Sequence, residues 1–197
     1  MCNRPAKHPR TRFGYKDATT NERQITEWWT KFPTANIGII TGRETGIFVL
    51  DIDPRHGGEY SLEELEYYYR FVLENKSVFE PLSGTLTTKT GSGGRHLYFK
   101  YPQNHKIKSS SSLIGNGLDI KADESYIIVP PSRHKCGNRY QWFGFNTPIK
   151  EAPKWLLYEI AKANEATETS NSHRLLVSPS VNLNYEKIVP EGQRNKE

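Results

Sequence analysis

Asp51 and Asp53 stand two residues apart at the polar end of the apolar run Ile47-Phe48-Val49-Leu50. Alternate side chains of a strand share a face, so both carboxylates are expected to point the same way. Two like charges so close call for a cation. Hard divalent ions such as Mg²⁺ or Mn²⁺ take oxygen ligands, commonly one or two carboxylates completed by substrate phosphates. An Asp-x-Asp pair also caps strands ahead of turns, and Pro54 to Gly58 is such a turn, so the pair by itself leaves both readings open. His96 follows the turn Gly91-Ser92-Gly93-Gly94-Arg95 and shares a strand face with Tyr98 and Lys100. The backbone N–H groups of a glycine-rich turn can approach phosphate oxygens, and the His96 imidazole and Arg95 guanidinium would add charge-assisted donors; glycine turns also join hairpins that bind nothing. Asp119 has Lys121 on its own face, a third carboxylate beside a cation, which alone is an ordinary surface ion pair.

These residues need strands to hold them. Asn36 to Ile40 and Gly46 to Asp53 are apolar runs separated by Thr41-Gly42-Arg43-Glu44-Thr45, a pattern that predicts a hairpin of buried strands. Thr85 to Thr90 and Arg95 to Tyr101 flank the glycine turn as a second hairpin. Gly117 to Lys121, Tyr126 to Val129 and Arg139 to Trp142 complete the strand candidates. Thr19-Thr20-Asn21-Glu22 offers a capping box for a helix carrying Ile25, Trp28 and Trp29 and stopped near Pro33. Ser61-Leu62-Glu63-Glu64 offers another, for a helix through about Asn75 whose stripe Leu62, Leu65, Tyr69, Val72 and Leu73 packs on a sheet. A last helix is expected from Lys154 to Ala163. Trp28 and Trp155 fall where core packing explains them better than base stacking. From Asn164 the composition turns to Glu, Thr, Ser and Asn, which reads as a linker.

Composition narrows the function classes. The 197 residues suit one catalytic domain. No apolar run approaches the roughly 20 residues of a spanning helix, and the opening residues lack the apolar stretch of a secretory signal, so a cytoplasmic protein without membrane contact is expected. Cys2 and Cys136 are the only cysteines, which excludes a disulfide framework and a cysteine zinc site. The net charge of +5 favours an anionic partner such as nucleic acid or nucleotide, and the basic lead-in from Arg4 to Lys16 could follow template phosphates.

The order of these motifs resembles the bifunctional DNA primase/polymerase (prim-pol) N-terminal domain of the archaeo-eukaryotic primase superfamily, found in plasmid, phage and bacterial replication proteins. The resemblance runs from Asp17-Ala18-Thr19-Thr20 and Trp28-Trp29, through Asn36-Ile37-Gly38-Ile39 and Val49-Leu50-Asp51-Ile52-Asp53, to Thr90-Gly91-Ser92-Gly93-Gly94-Arg95-His96-Leu97-Tyr98-Phe99. It continues over Gly117-Leu118-Asp119-Ile120-Lys121, Pro130-Pro131-Ser132, Tyr140 with Trp142, and Trp155-Leu156-Leu157. It implies an α/β (α+β) fold, with an RRM-like antiparallel sheet carrying the carboxylates beside a smaller α/β unit. It implies that Asp51, Asp53 and Asp119 hold Mg²⁺ or Mn²⁺, that His96 contacts an incoming triphosphate, and that Arg133 or His134 is a further phosphate-contacting cation. Gly93, Gly94, Arg95 and Lys121 join the expected nucleotide-binding set. The implied activity is template-directed nucleotidyl transfer from NTPs or dNTPs onto a primer on single-stranded DNA, with a helicase domain or subunit as a possible partner.

The implied organisation is a catalytic domain over residues 1–163, lacking the helix and strand that usually precede the Lys7-His8-Pro9 segment, then a polar linker over 164–187 and the start of a helical domain over 188–197. Two alternatives are a non-catalytic DNA-binding remnant of a replication protein and another Asp-x-Asp metal-dependent enzyme, a glycosyltransferase or nuclease. Neither enzyme alternative accounts for His96 and Asp119 in their order.

Overall fold

The computed structural model describes residues 6–72 and 79–172. Its centre is β2, Ile47–Ile52, flanked on one side by β4, Arg95–Lys100, and on the other by β5, Leu118–Lys121. Beyond β4 lie β3, Thr87–Lys89, and β7, Gln141–Phe143, giving an antiparallel sheet in the order β5-β2-β4-β3-β7. A second, two-stranded antiparallel sheet pairs β1, Ile37–Thr41, with β6, Ser125–Val129.

Alternation along β2 assigns the two faces of the large sheet. Phe48, Leu50 and Ile52 are fully buried and pack with Leu97, Phe99, Leu118 and Ile120 beneath two helices. These are α2, Gly58–Tyr67, which continues through a π-helical turn over Tyr68–Val72, and α3, Lys154–Ser172. Leu62, Tyr69, Trp155, Leu156 and Ile160 are their contribution to that core. On the opposite face Val49 and Tyr98 meet Ile127 and Val129 of the small sheet in a second apolar cluster. The candidate site lies on this second face, where the apolar cluster gives way to polar residues.

The mixed α/β architecture with antiparallel sheets agrees with the expected fold class. The β3–β4 hairpin forms as read. The expected β1–β2 hairpin does not: β1 belongs to the small sheet, and backbone pairing between the two runs is confined to a bridge between Gly42 and Ile47. The turn chemistry was favourable, but β1 has its whole length matched by β6, from Ile37 opposite Val129 to Thr41 opposite Ser125. The first helix, α1, runs over Glu22–Lys31 with Asn21 as its cap, its side chain accepting from the Gln24 N–H at 3.0 Å. Trp28 and Trp29 stay half-buried, so Trp28 is less enclosed than its spacing suggested, whereas Trp155 is in the core.

Helix α2 begins three residues before the Ser61 capping box, leaving Ser61 buried within it. The reason is a close backbone approach: the Gly58 N–H donates to the Asp53 carbonyl at 2.9 Å, and a Cβ on Gly58 would lie 2.6 Å from the Gly117 carbonyl. The expected end of this helix at Asn75 lies outside the described residues. Helix α3 extends through Ser172, into the segment whose composition read as linker; the rest of that linker and the segment at 188–197 lie outside the described residues. None of the described helices is long and apolar enough to cross a membrane.

Candidate active site

Strand register brings three of the expected site residues together. Asp51 lies directly opposite His96 on β4 and directly opposite Asp119 on β5. His96 in turn faces Thr88, and Thr88 faces Trp142, so one row of side chains crosses the sheet in the order Asp119, Asp51, His96, Thr88, Trp142. Directly opposed residues share a face at close range, and opposed like charges are unfavourable. The Asp51–Asp119 pair therefore has to be offset by positive charge. Asp119 has it: Lys121 Nζ donates to Oδ2 at 2.8 Å, with the Ser112 N–H on Oδ1 at 3.0 Å and the Ser111 hydroxyl 3.3 Å from Oδ2. Asp51 makes its one ion-pair contact, among the described residues, with the His96 imidazole, Nε2 standing 3.5 Å from Oδ1, and feels the charge of Arg55 without a contact.

That imidazole does not supply the missing charge. His96 is 5% exposed, and burial holds its pKa below the usual histidine range, with the Asp51 carboxylate opposing the shift. Its Nδ1 is buried without a hydrogen-bond partner among the described residues. His96 is thus a neutral ring with one nitrogen towards Asp51. Linkage gives a stability consequence. Because the folded pKa is depressed, the unfolded chain binds more protons as pH falls below its ordinary value of about 6.5, and stability present above that value is lost. We expect the melting temperature to fall between pH 7.5 and 5.5, and to fall less in His96→Gln; equal slopes in thermal melts would show that His96 does not carry the effect.

Asp53 lies one residue past the end of β2, in extended backbone with φ −104° and ψ 104°. Its carboxylate accepts from Arg55 Nε at 2.9 Å, from Arg55 Nη2 at 2.6 Å and from the Arg55 N–H at 3.0 Å, and lies 3.0 Å from His56 Nδ1. The Arg55 side chain is the largest cause that keeps the Asp53 carboxyl well below the usual range. The Asp53 backbone is fixed as well, its N–H donating to the Gly117 carbonyl at 2.8 Å. Sequence reasoning missed Arg55, whose role depends on the 3₁₀ turn over Pro54–His56 bringing it back over Asp53.

The glycine turn serves close approach. A Cβ on Gly94 would stand 2.3 Å from the Ile52 carbonyl and 3.1 Å from Pro54 Cδ, and one on Gly91 2.3 Å from His134 Cβ. The Gly93 and Gly94 N–H groups, expected to face phosphate, are directed inwards to the Thr90 carbonyl at 3.1 Å and the Thr90 hydroxyl at 2.9 Å. Arg95 does not join the row. It lies opposite Ile52, on the helix-covered face, and its guanidinium pairs with Glu59 of α2. Neighbouring strand residues face opposite ways, so Arg95 lies on the face away from the His96 row.

The segment 132–140 closes the site from the side. Cys136 Sγ and Asn138 Nδ2 both donate to the Gly91 carbonyl, at 3.2 and 3.0 Å. His134 is buried there with Nδ1 3.0 Å from Cys136 Sγ, and its pKa is lowered by desolvation and then by the charges of Lys7, Arg55 and Lys135. Arg133 is exposed, its N–H held by Asn36 Oδ1 at 2.9 Å. Tyr140, to which the sequence reading gave no role, lies between the two histidines, its ring centroid 6.0 Å from His96 and 6.4 Å from His134. Burial, then the charge of Asp51, pushes its phenol up to about 12. Of the expected residues, the structure therefore groups Asp51, His96, Asp119 and Lys121 on one face, with Asp53 at the strand end and His134 beside the glycine turn.

A cleft of about 1530 Å³ adjoins this site between the lead-in segment, α1 and the outer face of the small sheet. Lys7, Arg10, Arg12, Arg23, Lys31 and Arg133 line it, along with Trp28 and Trp29. The lead-in is tied down by Asn36 Nδ2 donating to the Ala6 carbonyl at 2.8 Å and the Tyr126 hydroxyl donating to the Lys7 carbonyl at 2.6 Å. Lys7 lies close enough for its charge to be felt by both His96 and His134.

An antiparallel sheet bearing opposed carboxylates and a buried histidine is backed by two helices and faced by a smaller sheet, an α+β core. The model of the bifunctional DNA primase/polymerase N-terminal domain matches residues 1–155, and the chain belongs to that family. A search of curated proteins finds no match.

Proposed function

We propose that this chain is the catalytic domain of a template-directed primase/polymerase, transferring nucleoside monophosphates from dNTPs or NTPs to a strand end with release of pyrophosphate. The observation that carries the reading is the Asp119-Asp51-His96 row within a chain of this family. Asp51 and Asp119 are opposed carboxylates, and Asp51 has no cation on it among the described residues. That donor set suits a hard divalent ion, Mg²⁺ or Mn²⁺. Among the described residues no three His, Cys, Asp or Glu side chains are grouped closely enough to enclose an ion. The fit is thus to an ion shared between carboxylates and substrate phosphates, the usual manner for Mg²⁺.

Of Asp51, Asp53 and Asp119, one or two would hold the ion, with substrate phosphates completing its shell. Bound there, it would lower the charge on the triphosphate and favour the deprotonated attacking hydroxyl. The residues of the chain do the rest. His96, neutral and buried, presents a nitrogen beside Asp51 and orients a phosphate oxygen without adding a full charge. Lys121, Arg133 and His134 supply donors around the triphosphate. Tyr140 excludes water between the histidines.

The reading is tested by following pyrophosphate from dNTPs and from NTPs. Release that requires template, primer and divalent ion together supports it; orthophosphate release without template contradicts it.

The cleft supports a single-stranded DNA template as partner, since cations track phosphates and Trp28 and Trp29 offer stacking surfaces. Arg10 and Arg12 are exposed and stand over the rings of Phe32 and Phe13, at 5.1 and 5.3 Å. Replacing both by alanine is expected to lower the slope of log affinity against log salt by roughly 1.4, at about 0.7 per lost phosphate contact on single strands. Fluorescence anisotropy at several salt concentrations checks this, and an unchanged slope places the template elsewhere.

A further inference from the structure

The Asp53 carboxylate is saturated. An ionised carboxylate offers about four lone-pair sites, and four donors are in place: Nε and the backbone N–H of Arg55 on Oδ1, and Nη2 of Arg55 with Nδ1 of His56 on Oδ2. A divalent ion needs one of those sites, so it cannot bind Asp53 until a donor leaves. Asp51 carries no such obstacle: among the described residues its one ion-pair contact is with His96, at 3.5 Å. The two ends of the Asp-x-Asp pair therefore stand in different states before any ion arrives.

Two side chains can leave: the His56 imidazole, 71% exposed and on Oδ2 alone, and the Arg55 guanidinium, which holds both oxygens. The Arg55 side chain is 49% exposed, and it is linked to Asp53 across only two residues, so it can swing without moving β2. A guanidinium and a divalent cation on one carboxylate also repel each other at close range. Where the side chain can go is set by its surroundings: Asp51, Tyr140 and His134 all lie within reach of its charge. Those residues ring the space beside the glycine turn.

We propose that Arg55 is a latch on Asp53, holding the carboxylate in the ion-free protein, giving up at least one oxygen when a divalent ion binds, and then directing its guanidinium to the triphosphate that accompanies the ion. The proposal rests on the metal-dependent reading above and adds a positioning residue to it. It makes ion and nucleotide bind together: an ion alone competes with the Arg55–Asp53 bonds, whereas an ion arriving with a triphosphate gives the freed guanidinium a new anionic partner. A bidentate guanidinium recognises a phosphate as readily as a carboxylate.

The test is a Mn²⁺ titration of the full chain without nucleotide, read by the electron paramagnetic resonance of free Mn²⁺, on the wild type, Arg55→Ala, Arg55→Lys and Asp51→Asn. Arg55→Ala is expected to bind Mn²⁺ about tenfold more tightly than the wild type, because the competing donor is gone. Arg55→Lys keeps the charge and loses the bidentate grip, and is expected to fall between them. With Mn²⁺ saturating, the affinity for dATP is expected to drop in Arg55→Ala. Wild-type Mn²⁺ affinity in Arg55→Ala, or an Arg55→Lys protein indistinguishable from the wild type, would overturn the latch. If Asp51→Asn still abolishes Mn²⁺ binding in that case, the metal reading survives and the latch alone falls. If no protein binds Mn²⁺ with or without dATP, both fall together.

Discussion

Asp51→Asn is expected to lower nucleotide incorporation by about 10³-fold or more while leaving the melting temperature within a few degrees of the wild type. Asp51 is the middle of the Asp119-Asp51-His96 row and the carboxylate with no cation on it among the described residues. The substitution keeps the volume and removes the charge. A metal ligand and the ion it holds stabilise a phosphoryl transition state by several kcal/mol, and about 4 kcal/mol corresponds to roughly 10³ in rate. Stability should scarcely suffer. The Asp51 side chain is 22% exposed, and removing one of two opposed carboxylates relieves repulsion with Asp119. Single-turnover incorporation and a thermal melt on the same preparation check both halves, and wild-type incorporation by Asp51→Asn would remove the row from the chemistry.

Gly94→Ala is expected to cost about 3 kcal/mol of stability, at the upper end for overpacking a rigid site, and with it most of the activity. The added Cβ would meet the Ile52 carbonyl at 2.3 Å, and that atom belongs to the central strand. Neither side can yield cheaply. Moving Gly94 away pulls on the Thr90–Gly94 hydrogen bonds, and moving Ile52 disturbs the neighbouring Asp51 and Asp53. For a domain of this size the drop corresponds to roughly 6–12 °C in melting temperature. Gly57→Asn provides the contrast: φ there is +81°, a Cβ would meet nothing within 4 Å, and asparagine tolerates the left-handed region. A melt of Gly57→Asn close to the wild type beside a large loss in Gly94→Ala would locate the cost in the close approach. Equal losses in both would assign it to backbone conformation.

Much of the site was legible in the sequence because strands announce themselves by apolar runs and alternation. Asp51, His96 and Asp119 each sit within such a run. Their direct opposition was not legible, since register depends on how β2, β4 and β5 slide against one another. The β1–β2 hairpin shows the same difficulty from the other side: the turn between Thr41 and Gly46 has favourable local chemistry, yet the partner of β1 lies far along the chain at β6, with Thr41 opposite Ser125 and Ile37 opposite Val129. Local chemistry cannot report a better match at that distance.

The nucleotide-binding expectations divided along similar lines. That Arg95 and His96 face opposite sides follows from strand period alone and could have been drawn from the sequence; the pairing of Arg95 with Glu59 could not. The inward direction of the Gly93 and Gly94 N–H groups depends on Thr90, which supplies both acceptors. Arg55 was invisible because its contact with Asp53 is made by a 3₁₀ turn that Pro54 starts and Gly57, at φ +81°, ends. Both turn residues were readable, but not the direction in which they send the side chain between them.

The most direct test of the proposed activity is primer extension on a single-stranded template with Mg²⁺ or Mn²⁺, supplying dNTPs and NTPs separately and running Asp51→Ala/Asp53→Ala beside the wild type. Extension that follows the template base, requires the divalent ion and disappears in the double variant is the expected result. Extension that persists in a folded Asp51→Ala/Asp53→Ala protein, or none from the wild type with any ion or nucleotide, would contradict it.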